Sequence, residues 1–180
     1  MPLTTPPRKL DPLLAIARVV LVVMQGLTAL GALACLLAVP AIFIFRSQVE
    51  AELVSEGVPL EAFTALALLI AMAGVAVTLI FWVARLLWQM VDTVRDGDPF
   101  VPENATRLSR MAWIMLTIQI IGFPISAAAI WLNNITEDGH AENVGDGFSF
   151  SAILLVLILF ILARVFRKGT EMREELEGTV

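Results

Sequence analysis

The chain is expected to be all-α: an integral membrane, antiparallel four-helix bundle with its N and C termini in the cytoplasm. Three observations carry that expectation. Hydrophobic residues make up 58% of the 180 residues, above the roughly 45–50% of a soluble domain. They are gathered into four runs of about the length a helix needs to cross a hydrocarbon core of roughly 30 Å. Charge is sorted between alternate loops: eleven of the twelve Lys and Arg residues lie on one predicted side, with Arg46 alone on the other. Positive residues remain cytoplasmic, so both ends and the middle loop are placed inside.

Met1–Leu10 is a short polar tail with Pro2, Pro6 and Pro7, expected to be disordered. Asp11–Pro12 opens a helix, because Asp accepts from free first-turn N–H groups and Pro fits the first helical position. The first span is 19–45, too long for a cleavable signal segment. Pro40 is expected to bend it. Arg46–Gly57 is read as a continuation of that helix out of the membrane, stopped by Gly57.

Val58–Pro59–Leu60–Glu61 starts the second span, 63–83, whose helix should run on to about Val94. Trp82 and Trp88 mark its approach to an interface. The third span is 111–132, with Pro124 inside it and Trp113 and Trp131 near its ends. The fourth is 150–166, with Arg164 close enough to its end to reach the headgroups. Residues 167–180 form a charged cytoplasmic tail able to stay helical. Gly26, Gly31, Gly74 and Ala129 are small enough for close helix contact. The whole chain reads as a single four-span membrane domain.

The two outer loops hold eight acids against Arg46, so the net charge of −5 is an exterior property. It speaks against direct nucleic-acid binding. Cys35 is the only cysteine and sits in an apolar run, as a small hydrophobe would. His140 is the only histidine, which excludes a His-based metal site and leaves no basis for a catalytic triad. No phosphate loop, Cys/His cluster or nucleophile–base pair is present in the sequence, so no catalytic residue, metal or cofactor is expected. The intramembrane polar residues are uncharged, among them Gln25 and Gln119, and are expected to hydrogen-bond between helices. A proton or ion route usually needs an ionisable group there. Asn134-Ile-Thr136 matches a glycosylation acceptor, a reading discounted by the resemblance to bacterial proteins described below.

The middle loop, 92–110, is the most informative segment. Gly97–Asp98–Pro99 is turn chemistry. Phe100 precedes a helix start at Val101–Pro102–Glu103 and is placed to fold back as an anchor. Glu103 lies four residues before Arg107, the better orientation for a helical ion pair, and Arg107 and Arg110 share a face. Arg107, Arg110, Arg164, Arg167 and the acidic tail, including Glu175 and Glu177, are expected to close one ion-paired layer. Met172, Leu176 and Val180 are four apart and could form an apolar stripe on that tail.

Gly97-x-Pro99-Phe100-x-x-Glu103-Asn104-x-x-Arg107-Leu108, followed later by Val165-Phe166-Arg167-x-Gly169-x-x-Met172-Arg173-x-x-x-Glu177, resembles the YoaS-like domain-of-unknown-function family of small bacterial membrane proteins. The four-span layout extends the resemblance over essentially the whole chain. It implies a four-helix bacterial inner-membrane protein with no established activity, and with no catalytic motif in the sequence the chain is expected to be non-enzymatic. It also implies, through the family's gene neighbourhoods, a small helix-turn-helix transcription regulator as a cytoplasmic partner, bound by protein–protein interaction. The acidic tail departs from a basic docking tail but suits a basic DNA-binding protein. The alternative is a small oligomeric transporter or permeability factor. The expected partners are therefore the lipid bilayer and a regulator, and homo-oligomerisation is compatible with the sequence.

Overall fold

A computed structural model describes residues 12–135 and 149–177. The expectations for Met1–Asp11, Thr136, the acids of the second outer loop, His140 and Val180 lie outside these residues. The described chain is helical throughout: α1 (Pro12–Ile44), α2 (Arg46–Ser55), α3 (Glu61–Asp96), α4 (Pro102–Ile135) and α5 (Phe150–Glu177). Four of these, all but α2, are long and apolar enough to cross a membrane. Each extends past its predicted span on at least one side, because flanking residues continue the helix, although α1 stops at Ile44, just short of residue 45.

The long helices pack in chain order: α1 on α3, α3 on α4, α4 on α5. Each neighbouring pair is antiparallel. Along α1 and α3, Arg18 meets Trp88 and Asp92, Cys35 meets Gly74, and Phe43 meets Phe63. Along α4 and α5, Phe100 meets Phe166 and Trp113 meets Phe160. Backbone contact does not join α1 to α4 or α5 among the described residues. The arrangement is thus a row of antiparallel helices rather than a closed four-helix ring.

Glycines set the α1–α3 spacing. A Cβ on Gly74 would sit 2.9 Å from the Cys35 Cβ, and one on Gly31 would sit 3.3 Å from a Val77 methyl. Gly26, by contrast, faces open space. Small residues replace bulk with backbone proximity, and dispersion then acts over a longer seam. The expected interhelical glutamine bonds are present but long: Gln25 Nε2 donates to the Ala84 carbonyl and Gln119 Nε2 to that of Ser149, each at 3.4 Å.

The segment after the first span does not continue its helix. Phe45 interrupts it at φ −96°, ψ 23°, and α2 begins as a separate element. The corner closes on Phe63, which meets Phe43 edge-on at 5.8 Å and lies 5.2 Å beneath the Arg46 guanidinium. That apolar and cationic contact holds the residues on either side of the interruption against α3. Gly57 does end α2, at φ +73°: its N–H reaches the Val54 carbonyl and the Val58 N–H that of Leu53. This is a Schellman cap, which needs the left-handed residue that glycine supplies.

The described ends of the row differ in charge. Of the ten described cations, nine lie at the end formed by the start of α1, the α3–α4 turn and the end of α5. The opposite end carries Arg46 with Glu50, Glu52, Glu56 and Glu61. The best-buried cluster also sits towards the basic end: Leu86, Leu108, Met111 and Ala163, backed by Val83, Met90, Ile114, Leu159 and Phe166. Elsewhere the helices turn leucine, isoleucine and valine outwards, as Leu36, Val19 and Leu30 do.

Candidate functional site at the basic end

Helix α3 ends by a second Schellman cap. Gly97 has φ +87°, its N–H reaches the Val94 carbonyl, and the Asp98 N–H reaches that of Thr93, each at 3.1 Å. A non-glycine residue in this left-handed region would be strained. Pro99 and Pro102 then bracket Phe100 and Val101, and α4 starts at Pro102, where proline has no N–H to leave unpaired.

Asn104 is completely buried and ties the turn together. Its Nδ2 donates to the Thr93 hydroxyl at 2.7 Å and to the Pro99 carbonyl at 2.9 Å. Its Oδ1 accepts from an Arg107 Nη at 2.7 Å. The partners dictate the amide's orientation, since a carbonyl can only accept and a guanidinium can only donate. The Thr93 hydroxyl spends its own proton on the Met90 carbonyl at 2.8 Å. One amide therefore links the last turn of α3, the connecting turn and the first turns of α4.

Helix α5 closes over this turn. Phe100 stacks at a tilt on Phe166, centroids 5.3 Å apart. The approach depends on Gly169, where a Cβ would lie 3.0 Å from Phe100 Cδ1. The buried Thr170 hydroxyl is within 3.3 Å of the Phe100 carbonyl and 3.0 Å of the Phe166 carbonyl, and its single proton serves the two. Arg173 then pairs with Asp98. The two sequence motifs, about 70 residues apart, meet in one joint.

The expected ion-paired layer has different members. Arg107 is bonded to Asn104, and no ion pair joins it to Glu103 among the described residues. The reason is the buried acceptor: Arg107 is half-buried and donates to the Asn104 Oδ1 at its i−3 position, whereas Glu103 is exposed. Arg110, Arg164 and Arg167 are exposed, with no ion pair among the described residues. Helix-crossing pairs at this end include Arg18–Asp92, at 3.9 Å, and Arg173–Asp98. Arg18 also lies 5.3 Å over the Trp88 ring.

Of the expected site residues, Gly97, Pro99, Phe100, Asn104 and Arg107 belong to the joint. Glu103 and Arg110 are exposed on α4, and Arg164 and Arg167 are exposed on α5, beside Ser109 of α4. Glu175 is exposed on the last turns of α5. Glu177 ends that helix, and its side chain lies outside the described ones. Sequence reasoning overlooked Thr93 and Thr170 as members. Their signal is faint: a threonine four residues before a capping glycine, and a Gly-Thr step in a charged helix.

No group of three or more His, Cys, Asp or Glu side chains that could hold a metal occurs among the described residues. What the arrangement offers is a rigid polar surface: a capped turn, a clamped helix, and a tail on which Met172 and Leu176 are 50% and 70% exposed among glutamates.

No curated protein and no solved structure matches the chain. A family profile matches residues 48–180, which takes in both motifs and leaves α1 outside the matched region. The expected membership of an uncharacterised family is thereby shown: the chain belongs to the family described as "protein of unknown function (DUF2975)".

Proposed function

We propose that this is a non-enzymatic, multi-pass protein of the bacterial inner membrane, with both termini cytoplasmic, that holds a small helix-turn-helix transcription regulator at its cytoplasmic end. The observation that carries the reading is the joint of the 97–107 turn with residues 166–173, which anchors the exposed tail. Met172 and Leu176 would supply apolar anchors, and Glu171, Glu174 and Glu175 a negative field that suits a basic DNA-binding partner. Holding a regulator there keeps it from DNA, and a signal that shifts the joint changes its affinity for the tail. The membrane reading is supported by the four long apolar helices, and the orientation by the gathering of cations at one end.

The test is affinity capture of the tagged full-length protein from native membranes in mild detergent. A small helix-turn-helix protein should co-purify with the wild type and with Arg46→Gln, and be lost with M172E/L176E. Capture of no such protein by the wild type, or capture undiminished by the tail substitutions, overturns the reading.

A further inference from the structure

A groove of about 510 Å³ opens between α4 and α5 at the basic end. Arg164, Arg167, Lys168 and one carboxylate, Glu171, wall its charged side, Phe160 and Ala163 form its floor, and Ser109 faces them from α4. The three cations are not equally engaged. Lys168 Nζ is 3.2 Å from a Glu171 carboxylate oxygen. Arg164 and Arg167, one helical turn apart on the same face, have no ion-pair partner among the described residues. Two exposed guanidiniums side by side repel each other unless an anion lies between them.

The floor has the opposite character. Phe160 meets Trp113 edge-on, centroids 5.4 Å apart, which sets Trp113, 60% exposed, against a residue of the groove floor. Away from the charged end, α5 continues with the exposed side chains of Leu157 and Ile153. The path thus runs from a dicationic mouth, past an indole, onto an apolar helix face. That gradient fits an amphiphile with an anionic head. It does not fit a free anion, which would have no use for the apolar floor.

We propose that this groove binds an anionic phospholipid, with its phosphodiester between Arg164 and Arg167 and an acyl chain along Phe160 and Leu157. Guanidiniums match phosphate oxygens in a bidentate fork, which a lysine cannot reproduce. Only Glu171 borders both this groove and the Met172–Leu176 surface, and the arginines tested here are not part of that surface, so the proposal stands or falls independently of the proposed regulator. It does rest on the membrane reading. A lipid held here would brace α5 against α4 just below the joint.

The test uses the full-length protein in phosphatidylcholine vesicles containing brominated phosphatidylglycerol or brominated phosphatidylcholine, which quench nearby tryptophan. The Trp113 contribution is isolated by subtracting the signal of Trp113→Phe. Each arginine beside a bilayer contributes about fivefold in affinity for acidic lipid, so the pair should give a preference of about 25-fold for phosphatidylglycerol. R164Q/R167Q should bring the two lipids to near parity, R164K/R167K should keep part of the preference, and Arg46→Gln should keep all of it. If the double glutamine variant does not insert, each single variant should still lose about fivefold. Equal quenching by both lipids in the wild type overturns the proposal. So does a preference that survives loss of both arginines, or one that Arg46→Gln abolishes. Reversal of the phosphatidylglycerol quenching by excess inorganic phosphate would identify a free anion as the occupant and overturn it as well.

Discussion

Replacing Asn104 by alanine should loosen the whole basic end. The side chain is fully buried and makes three hydrogen bonds, two from Nδ2 and one to Oδ1. The neutral bonds to Thr93 and Pro99 contribute about 1 kcal/mol each, and the charge-assisted bond from Arg107 about 1.5–3 kcal/mol at full burial. Arg107 is half-buried and regains water when released, so its share falls at the low end. Thr93 keeps its bond to Met90, which leaves the half-buried Pro99 carbonyl as the acceptor without its donor. The sum is a loss of roughly 3.5 kcal/mol. The assay is unfolding of the purified protein in mixed micelles with rising denaturing detergent, followed by far-ultraviolet circular dichroism. Asn104→Asp distinguishes the two sides of the amide: it keeps an acceptor for Arg107 but turns an oxygen on the Pro99 carbonyl. It should therefore also destabilise, despite the ion pair it creates. The decisive quantity is the coupling between Asn104→Ala and Thr93→Val, expected at about 1 kcal/mol because both remove the same bond. Additive effects, or a loss below about 0.5 kcal/mol for Asn104→Ala, would refute the view of this amide as the joint's hub.

Two further outcomes follow from the same geometry. Gly169→Ala places a Cβ 3.0 Å from Phe100 Cδ1 and should destabilise by about 1–2 kcal/mol; in a Phe100→Ala background the sign should reverse, because alanine is the better helix former by about 1 kcal/mol, and unfolding in mixed micelles reads both. In a Cys35→Ala background, Glu56→Cys should react with an impermeant maleimide on intact cells, and Glu174→Cys only after permeabilisation. The opposite pattern would invert the orientation.

Much of the candidate site was legible residue by residue. Gly57 and Gly97 could be read as stops because a left-handed cap depends on the few residues around it. Phe100 could be read as an anchor, since an aromatic next to a helix start is driven to fold back on apolar neighbours. Its true seat, however, is Phe166 and Gly169, on a helix about 70 residues away. The expected Glu103–Arg107 pair failed for a related reason. Spacing along a helix says which side chains can meet, and burial of Asn104 decided which one did.

The amino-acid sequence by itself determined four long apolar helices, their approximate centres, the capped turn between the second and third, and the segregation of charge. These depend on run length and on local backbone chemistry, both written in contiguous residues. Only the tertiary structure decided that the helices pack in a row, that α2 breaks from α1 at Phe45, and that the two distant motifs form one joint. Helices rich in alanine, leucine and valine offer many seams of similar energy. Specific features select among them: Gly74 against Cys35, Gly169 against Phe100, and one buried amide with every bond satisfied.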